Sequence, residues 1–306
     1  MKYLVTGGAG FIGSHLVDHL IYRNHEIILI DNFSTGIEYN LKDIDKIKLV
    51  RKTVQEISFS ELPQIDGIFH LAAQASVPVS VGEFYFSSSN NLLSSIRVFE
   101  WAKMYNIPIV YASSSAVYGN LPLGDDQIEK YDILSPYAQD KLTMEHYAKM
   151  CWNVYKTPSI GLRFFNVYGP RQDPSNPYSG VISIFIDKLI QNKPVTVNGG
   201  FQTRDFIFVE NIVDVMVQSM VYLFNKRLCE ILNVGTGTPI TIDNLLEIIA
   251  ENMNVKPKVI LKELPSGDPE RSGGTYKKLK KILNINIDDF VKLENGLSKT
   301  IEHIRK

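Results

Sequence analysis

The run Thr6-Gly7-Gly8-Ala9-Gly10-Phe11-Ile12-Gly13, directly after the apolar segment Tyr3 to Thr6, restricts this chain more than any other stretch. Glycines at 8, 10 and 13 give the G-x-G-x-x-G spacing, and those at 7, 10 and 13 recur every third residue. A side chain at the tight turn would keep the backbone away from a pyrophosphate, whereas N–H groups at a helix start, reinforced by the helix dipole, favour an anion. The spacing alone is weak, but its setting strengthens it. A strand precedes, a helical pattern follows over Phe11 to Tyr22, and Asp31 ends the second apolar run about 20 residues on, where a carboxylate accepts ribose hydroxyls. The Asp31 charge disfavours a 2′-phosphate, and no Arg or Lys stands between Asn32 and Gly36 to offset it, so NAD is expected rather than NADP. Two plainer readings stay open: glycines that serve the turn only, and an Asp31 that caps a turn with Asn32 and Ser34.

Short apolar runs alternate with helical periodicity along the first half. Strands are expected at Tyr3 to Thr6, Ile27 to Asp31, Lys48 to Val50, Gly67 to Leu71, Ile109 to Ser113 and Ser159 to Phe164, with helices at Phe11 to Tyr22, Asn90 to Tyr105 and Tyr137 to Val154. That alternation specifies an α/β chain with a Rossmann-like, doubly wound parallel sheet. After Asn166 the texture changes, as Gly169, Pro170, Pro174, Pro177, Gly180, Gly199 and Gly200 break it into shorter elements. Helical patterns at Val209 to Phe224, Ile242 to Met253 and Ile287 to Ile304 flank a turn-rich segment, Pro265 to Gly274. The expected division is a dinucleotide-binding domain over 1–166, joined again by roughly 206–235, and a smaller C-terminal α/β lobe over 167–205 and 236–306.

Composition removes several functions. The 306 residues are 44% hydrophobic, enough for a sizeable core, and 32 Lys and Arg against 33 Asp and Glu leave a net charge of -1. Such balance gives no general attraction for nucleic acid. Cys151 and Cys229 form neither a metal spacing nor a disulfide framework, so no metal is expected and a reducing cytoplasm fits. No stretch approaches the ~18 apolar residues of a membrane span, and the N-terminus shows no cleavage-site pattern.

Tyr137-Ala138-Gln139-Asp140-Lys141 places a phenol and an ammonium one helical turn apart on one face. A tyrosine pKa near ~10 must fall for the phenolate to act as a base at neutral pH, and a neighbouring cation lowers it. The spacing is cheap, since Tyr222/Lys226 and Tyr276/Lys280 share it. What distinguishes the first pair is the preceding run Ile109 to Ala112, ending in Ser113-Ser114-Ser115 at a strand's C-terminal end, where open α/β sheets bind ligands. Serine runs are also ordinary starts of polar loops.

These residues resemble the extended short-chain dehydrogenase/reductases, and among them the nucleotide-sugar epimerases of the UDP-glucose 4-epimerase kind. The likeness covers TGGAGFIG at 6–13, DNFSTG at 31–36, HLAAQASV at 70–77, SSSAVYG at 113–119, SPYAQDK at 135–141, LRFFNVYGPRQ at 162–172 and GGFQTRDFIFVEN at 199–211. It implies that Tyr137 is the base, that Lys141 positions the nicotinamide ribose, and that Ser114 is the hydroxyl partner. It also implies that Gly7, Gly10, Phe11, Ile12, Gly13, Asp31, Asn32, Ser34, Thr35, Gly36, Leu71, Ala72, Ala73 and Asn90 surround NAD, with Phe165 near the nicotinamide. Asn166, Arg204 and Arg271 are then ligands of a UDP-sugar, and Ser76 lies where the sugar or diphosphate would pass. Phe165 could instead be ordinary core, and Arg204 could pair with Asp205 or Glu210.

The resemblance implies a 4-epimerase working through a transient 4-keto sugar. Relatives that eliminate water or carbon dioxide carry an acid just before the following Val-Tyr-Gly, where this chain has Ser115 and Ala116, so simple epimerisation is favoured over a decarboxylase, a dehydratase or a non-catalytic NAD sensor. The chain departs from the family pattern at Lys52-Thr53-Val54, at Pro265 before Gly267 and Asp268, and at Ser272, where a small residue leaves room for an N-acetylated sugar. A homodimer is expected through the helices carrying Phe99, Trp101, Met144 and Tyr147, which could equally be buried within one chain.

Overall fold

The computed structural model describes residues 1–175, 180–264 and 268–306, so Pro265 and Gly267 lie outside the described residues. The chain divides into two units, one of residues 1–117, 135–163 and 213–232, the other of 118–134, 164–212 and 233–306. This division differs from the expected one: residues 118–134 belong to the second unit, and the return to the first begins at 213 rather than 206.

Six strands, Lys2–Thr6 (β1), Glu26–Ile30 (β2), Ile47–Val50 (β3), Gly67–His70 (β4), Ile109–Ser114 (β5) and Ser159–Phe164 (β6), join Cys229–Val234 in a seven-stranded sheet. Its order is Cys229–Val234, β6, β5, β4, β1, β2, β3. β1 pairs in parallel with both β2 and β4, with Thr6 opposite Ile30 on one side and His70 on the other. The chain therefore winds outward in two directions from β1, and the C-terminal ends of β1, β2 and β4 lie side by side, the place where open sheets of this kind take ligands. Every residue of β6 is buried, as expected of a strand covered on both faces.

Helices Phe11–Tyr22 (α1), Val77–Gly82 (α2), Phe84–Tyr105 (α3) and Pro136–Tyr155 (α4) belong to this unit. α3 starts six residues before the expected Asn90, because its first turns present Ser87 inward, a polar residue that apolar periodicity does not count. Phe99, Trp101, Met144 and Ala148 from α3 and α4 are buried with Leu4, Ile28, Ile68, Ile109 and Tyr111 of the strands. The residues expected at a subunit interface, Phe99, Trp101 and Met144, are thus core, and Tyr147 packs against that core. Exposed apolar side chains of α3 and α4 include Leu93, Met104, Met150 and Val154, with Phe84, Tyr85 and Phe86 at the start of α3 and Tyr155 at the end of α4.

The second unit pairs Asn166–Tyr168 with Phe206–Phe208, Val195–Asn198 with Val259–Lys262, and Thr203–Arg204 with Ile240–Thr241. Its core gathers Tyr168, Phe185, Phe206, Phe208, Leu245, Ile249, Leu297 and Ile301. The helix expected over Ile287 to Ile304 is interrupted. A short 3-10 turn spans Ile287–Asp289, and the α-helix begins at Leu293. Between them Phe290 is extended and buried, while the Val291 N–H donates to Asn211 Oδ1, so tertiary contacts override the helical pattern there.

Trp101 is fully buried in the first core. Its truncation, Trp101→Ala, is expected to cost about 3–5 kcal/mol, measured as an earlier midpoint in urea unfolding followed by circular dichroism; an unchanged midpoint would contradict this packing.

Candidate active site

The turn between β1 and α1 packs backbone against backbone. Gly7 sits at φ 71°, and a β-carbon there would stand 2.6 Å from the Ala72 nitrogen. One on Gly13 would come within 2.2 Å of the Gly7 carbonyl oxygen. α1 opens at Gly10 with no side-chain cap and no acidic residue in its first turn, so the backbone donors around Phe11 and Ile12 and the positive end of the dipole are left for an anion. A dinucleotide pyrophosphate fits such a cradle.

Asp31 ends β2 as a buried carboxylate that accepts from the Ala9 N–H at 2.9 Å and the Phe33 N–H at 2.8 Å. Burial pushes its carboxyl up, and the two N–H groups act in the opposite direction. Its turn-capping role is therefore real, joined by Asn32 Oδ1 accepting from the Ser34 N–H at 3.1 Å. A carboxylate has about four acceptor sites, so these two bonds leave capacity for ribose hydroxyls. Gly36 returns the loop to the glycine turn, where a β-carbon would stand 2.9 Å from that of Ala9; Asn32, Ser34 and Thr35 are exposed. Leu71, Ala72 and Ala73 follow β4, half-buried, with the Ala72 N–H donating to Thr6 Oγ1 at 3.3 Å.

Past the C-terminal end of β5 the three serines diverge. Ser113 points inward and donates to Glu145, Ser114 hydrogen-bonds the Tyr137 phenol, and Ser115 opens a 3-10 turn. α4 begins under Ser135, whose Oγ accepts from the Ala138 N–H, with Pro136 at its first position. That start fixes Tyr137 in the first turn, where its N–H donates to Ser80 Oγ at 3.2 Å. Lys141 is buried one turn later, its Nζ donating to the Ala112 carbonyl at 2.7 Å and lying 5.6 Å from the centre of the Tyr137 ring. The sequence expectation that the chain itself lowers the phenol is corrected here. Burial pushes Tyr137 up, the Ser114 hydrogen bond draws it down, and the Asp140 charge adds to the rise.

Of the rival pairs, Tyr276 is spent structurally, since its hydroxyl donates to Asp205, which also accepts from Thr236 and Gly237. Ser76 caps α2, accepting from the Val79 N–H at 3.3 Å. Phe165 is buried in an aromatic group, stacked on Tyr118 and edge-on to Tyr276. Arg204 pairs with Asp268, not with Asp205 or Glu210, and Glu210 instead takes Lys299. Asn166 is half-buried and Arg271 exposed.

A buried polar chain escaped sequence reasoning. Asn90, the expected ligand, uses its carbonyl to accept from Gln55, while its neighbour Asn91 turns inward. Asn91 accepts from the Gln74 N–H at 2.7 Å and donates to the Gln74 carbonyl and to Asp140, each at 3.1 Å. His70 lies between Thr6 Oγ1, at 2.8 Å, and Ser95 Oγ, at 3.1 Å. Burial, then the Lys141 charge, pushes it down to about 3, so it is neutral and ties β1 and β4 to α3. The available signal was the spacing of Ser87, Asn91 and Ser95, an inward stripe four residues apart. Among the described residues no group of His, Cys, Asp or Glu could hold a metal ion, and no helix is long and apolar enough to cross a membrane.

Residues 3–235 match the model of the NAD dependent epimerase/dehydratase family. A putative UDP-glucose 4-epimerase of Methanocaldococcus jannaschii is 35% identical over 311 residues, covering 99% of this chain and 98% of that protein. The solved UDP-N-acetylglucosamine 4-epimerase of Methanobrevibacter ruminantium, in complex with UDP-N-acetylmuramic acid, superposes with a TM-score of 0.93 at 34% identity, covering 99% and 98% of the two chains. UDP-glucuronic acid decarboxylase 1 of Xenopus tropicalis is 30% identical over 318 residues, covering all of this chain and 72% of that protein.

Because a Gly13 β-carbon meets the Gly7 carbonyl, Gly13→Ala is expected to weaken NAD binding by about tenfold or more, a loss of ~1.4 kcal/mol or greater. Calorimetric titration checks it; equal affinity would show that the turn does not cradle the cofactor.

Proposed function

The chain belongs to the NAD dependent epimerase/dehydratase family, and from that premise we propose that it inverts C4 of a UDP-hexose, glucose/galactose or their N-acetyl forms, through a transient 4-keto sugar. The observation that carries this reading is the Ser114–Tyr137–Lys141 group at the end of β5, in one unit with the uncapped start of α1.

Gly7, Gly10, Gly13, Phe11 and Ile12 would hold the pyrophosphate of NAD, and Asp31 its adenosine ribose; Leu71, Ala72, Ala73 and Asn90 remain proposed neighbours of the cofactor. NAD held there would supply the hydride acceptor for C4 and, in its reduced form, the donor. Tyr137 takes the proton of the 4-hydroxyl as that carbon is oxidised, and returns it when the ketone is reduced. Ser114 donates a hydrogen bond to the same oxygen, stabilising charge as it develops. Lys141, anchored on the Ala112 carbonyl, keeps a positive charge near the phenol, which burial alone disfavours as an anion. Asn166, Arg204 and Arg271 are proposed ligands of the nucleotide part, and Ser76 a proposed neighbour of the sugar or diphosphate. Uridine and diphosphate should carry most of the binding energy, because the ketone must be free to present its other face.

Ser115 and Ala116 bear no carboxyl, which favours epimerisation over the decarboxylation named for the Xenopus tropicalis relative. We also propose a homodimer, with Leu93, Met104, Met150 and Val154 on its interface; light scattering decides it, a monomeric mass removing the proposal.

Incubation with UDP-galactose, UDP-glucose and their N-acetyl forms should interconvert one 4-epimer pair without accumulating NADH. Tyr137→Phe should lower kcat by about 10²–10⁴ while NAD still binds. No conversion of any of the four sugars would remove the proposal, and release of carbon dioxide from UDP-glucuronate would replace it.

A further inference from the structure

Four charged side chains of α4 and β6 are withdrawn from water: Asp140 (3% exposed), Lys141 (6%) and Glu145 (4%) on α4, and Arg163 (2%) on β6. Buried charges persist only when compensated, and the compensation here is uneven. Arg163 donates from Nε and Nη2 to the two oxygens of Glu145 at 2.8 and 2.6 Å, so these two charges answer each other. Lys141 Nζ donates to a neutral group, the Ala112 carbonyl. Asp140 accepts from a neutral group, Asn91 Nδ2 at 3.1 Å. What remains is one ammonium and one carboxylate, adjacent in sequence and one turn from the phenol.

Resting on the functional reading above, we propose that Asp140 is a positioning residue: fixed by Asn91 of α3, its carboxylate is the counter-charge that keeps the buried Lys141 ammonium protonated and in place for Tyr137. Without that charge the buried set would carry a net positive charge. Arg163 cannot release a proton, so Lys141 would be the group to lose one.

The other groups facing Lys141 do not substitute. Tyr137 and Glu145 share α4 with it, and Glu145 is engaged by Arg163 and Ser113. From β4, His70 is neutral, and from β5 there is the Ala112 carbonyl. Burial pushes Lys141 down to about 8, while Asp140 first and Glu145 second push it up. Asp140 also raises Tyr137. Removing its charge therefore lowers both the ammonium and the phenol. Whichever of the two groups sets it, the pH dependence of activity moves to lower pH. A residue that served only the packing of α3 on α4 would lower the height of the profile without displacing it.

Asp140→Asn preserves size and the bond accepted from Asn91. Nuclear magnetic resonance of the whole chain with ¹³C-labelled lysine, the Lys141 signal assigned through Lys141→Met, reads the ammonium without turnover. Its titration midpoint is expected to fall by about one pH unit or more in Asp140→Asn and to recover in Asp140→Glu. With UDP-galactose, the pH profile of kcat should move acidward with KM little changed. Equal Lys141 midpoints in wild type and Asp140→Asn, both folded by circular dichroism, overturn the proposal; should the Asn variant not fold, Asp140→Ser is read the same way. A shifted midpoint in a chain that converts no UDP-sugar would sink the functional reading and leave this one standing.

Discussion

An ammonium taken out of water at the end of β5 is the constraint around which the first unit is arranged. Desolvation of a charge costs several kcal/mol unless neighbours compensate it, and Lys141 is compensated by a backbone carbonyl and by carboxylates on its own helix. Those carboxylates need holding in turn, and the holders come from elsewhere in the fold: Arg163 from β6 and Asn91 from α3. The strand carrying Ala112 also carries Ser113 and Ser114. The interactions that settle the ammonium therefore also fix the hydroxyl beside Tyr137.

A second region of positive potential lies at the start of the sheet. At β1 the chain offers backbone donors and the positive end of a helix dipole with no side-chain cap on the helix, and glycine is required because the turn lies against the Ala72 backbone and Gly13 against Gly7. This turn and the buried cation near the phenol occupy the C-terminal ends of β1 and β5, the two strands that flank β4. His70 of β4, neutral because it is buried, ties β1 to α3 without adding charge. Family membership agrees with a turn suited to a dinucleotide.

Much of this was legible in the sequence because it depended on local rules. The glycine spacing, the strand before and the helix after the glycine turn, and the helix Ile242–Met253 follow from turn chemistry and periodicity. What was hidden depended on tertiary neighbours. Asn91 rather than Asn90 turns inward because α3 begins earlier than its apolar pattern shows. Arg204 meets Asp268, distant in sequence, instead of the nearer Asp205 and Glu210. Phe99, Trp101 and Met144 read as interface or core alike until the sheet beneath them is placed. The depressed phenol expected from Tyr137 and Lys141 alone is opposed by the burial that brings them together.

The central claim, that hydride leaves C4 and returns to the same carbon while Tyr137 handles the proton, is tested most directly with UDP-galactose carrying deuterium at C4. The account predicts that the UDP-glucose formed retains that deuterium at C4, with none passing to solvent water. Loss of the label to solvent, or its appearance at another carbon, would contradict it.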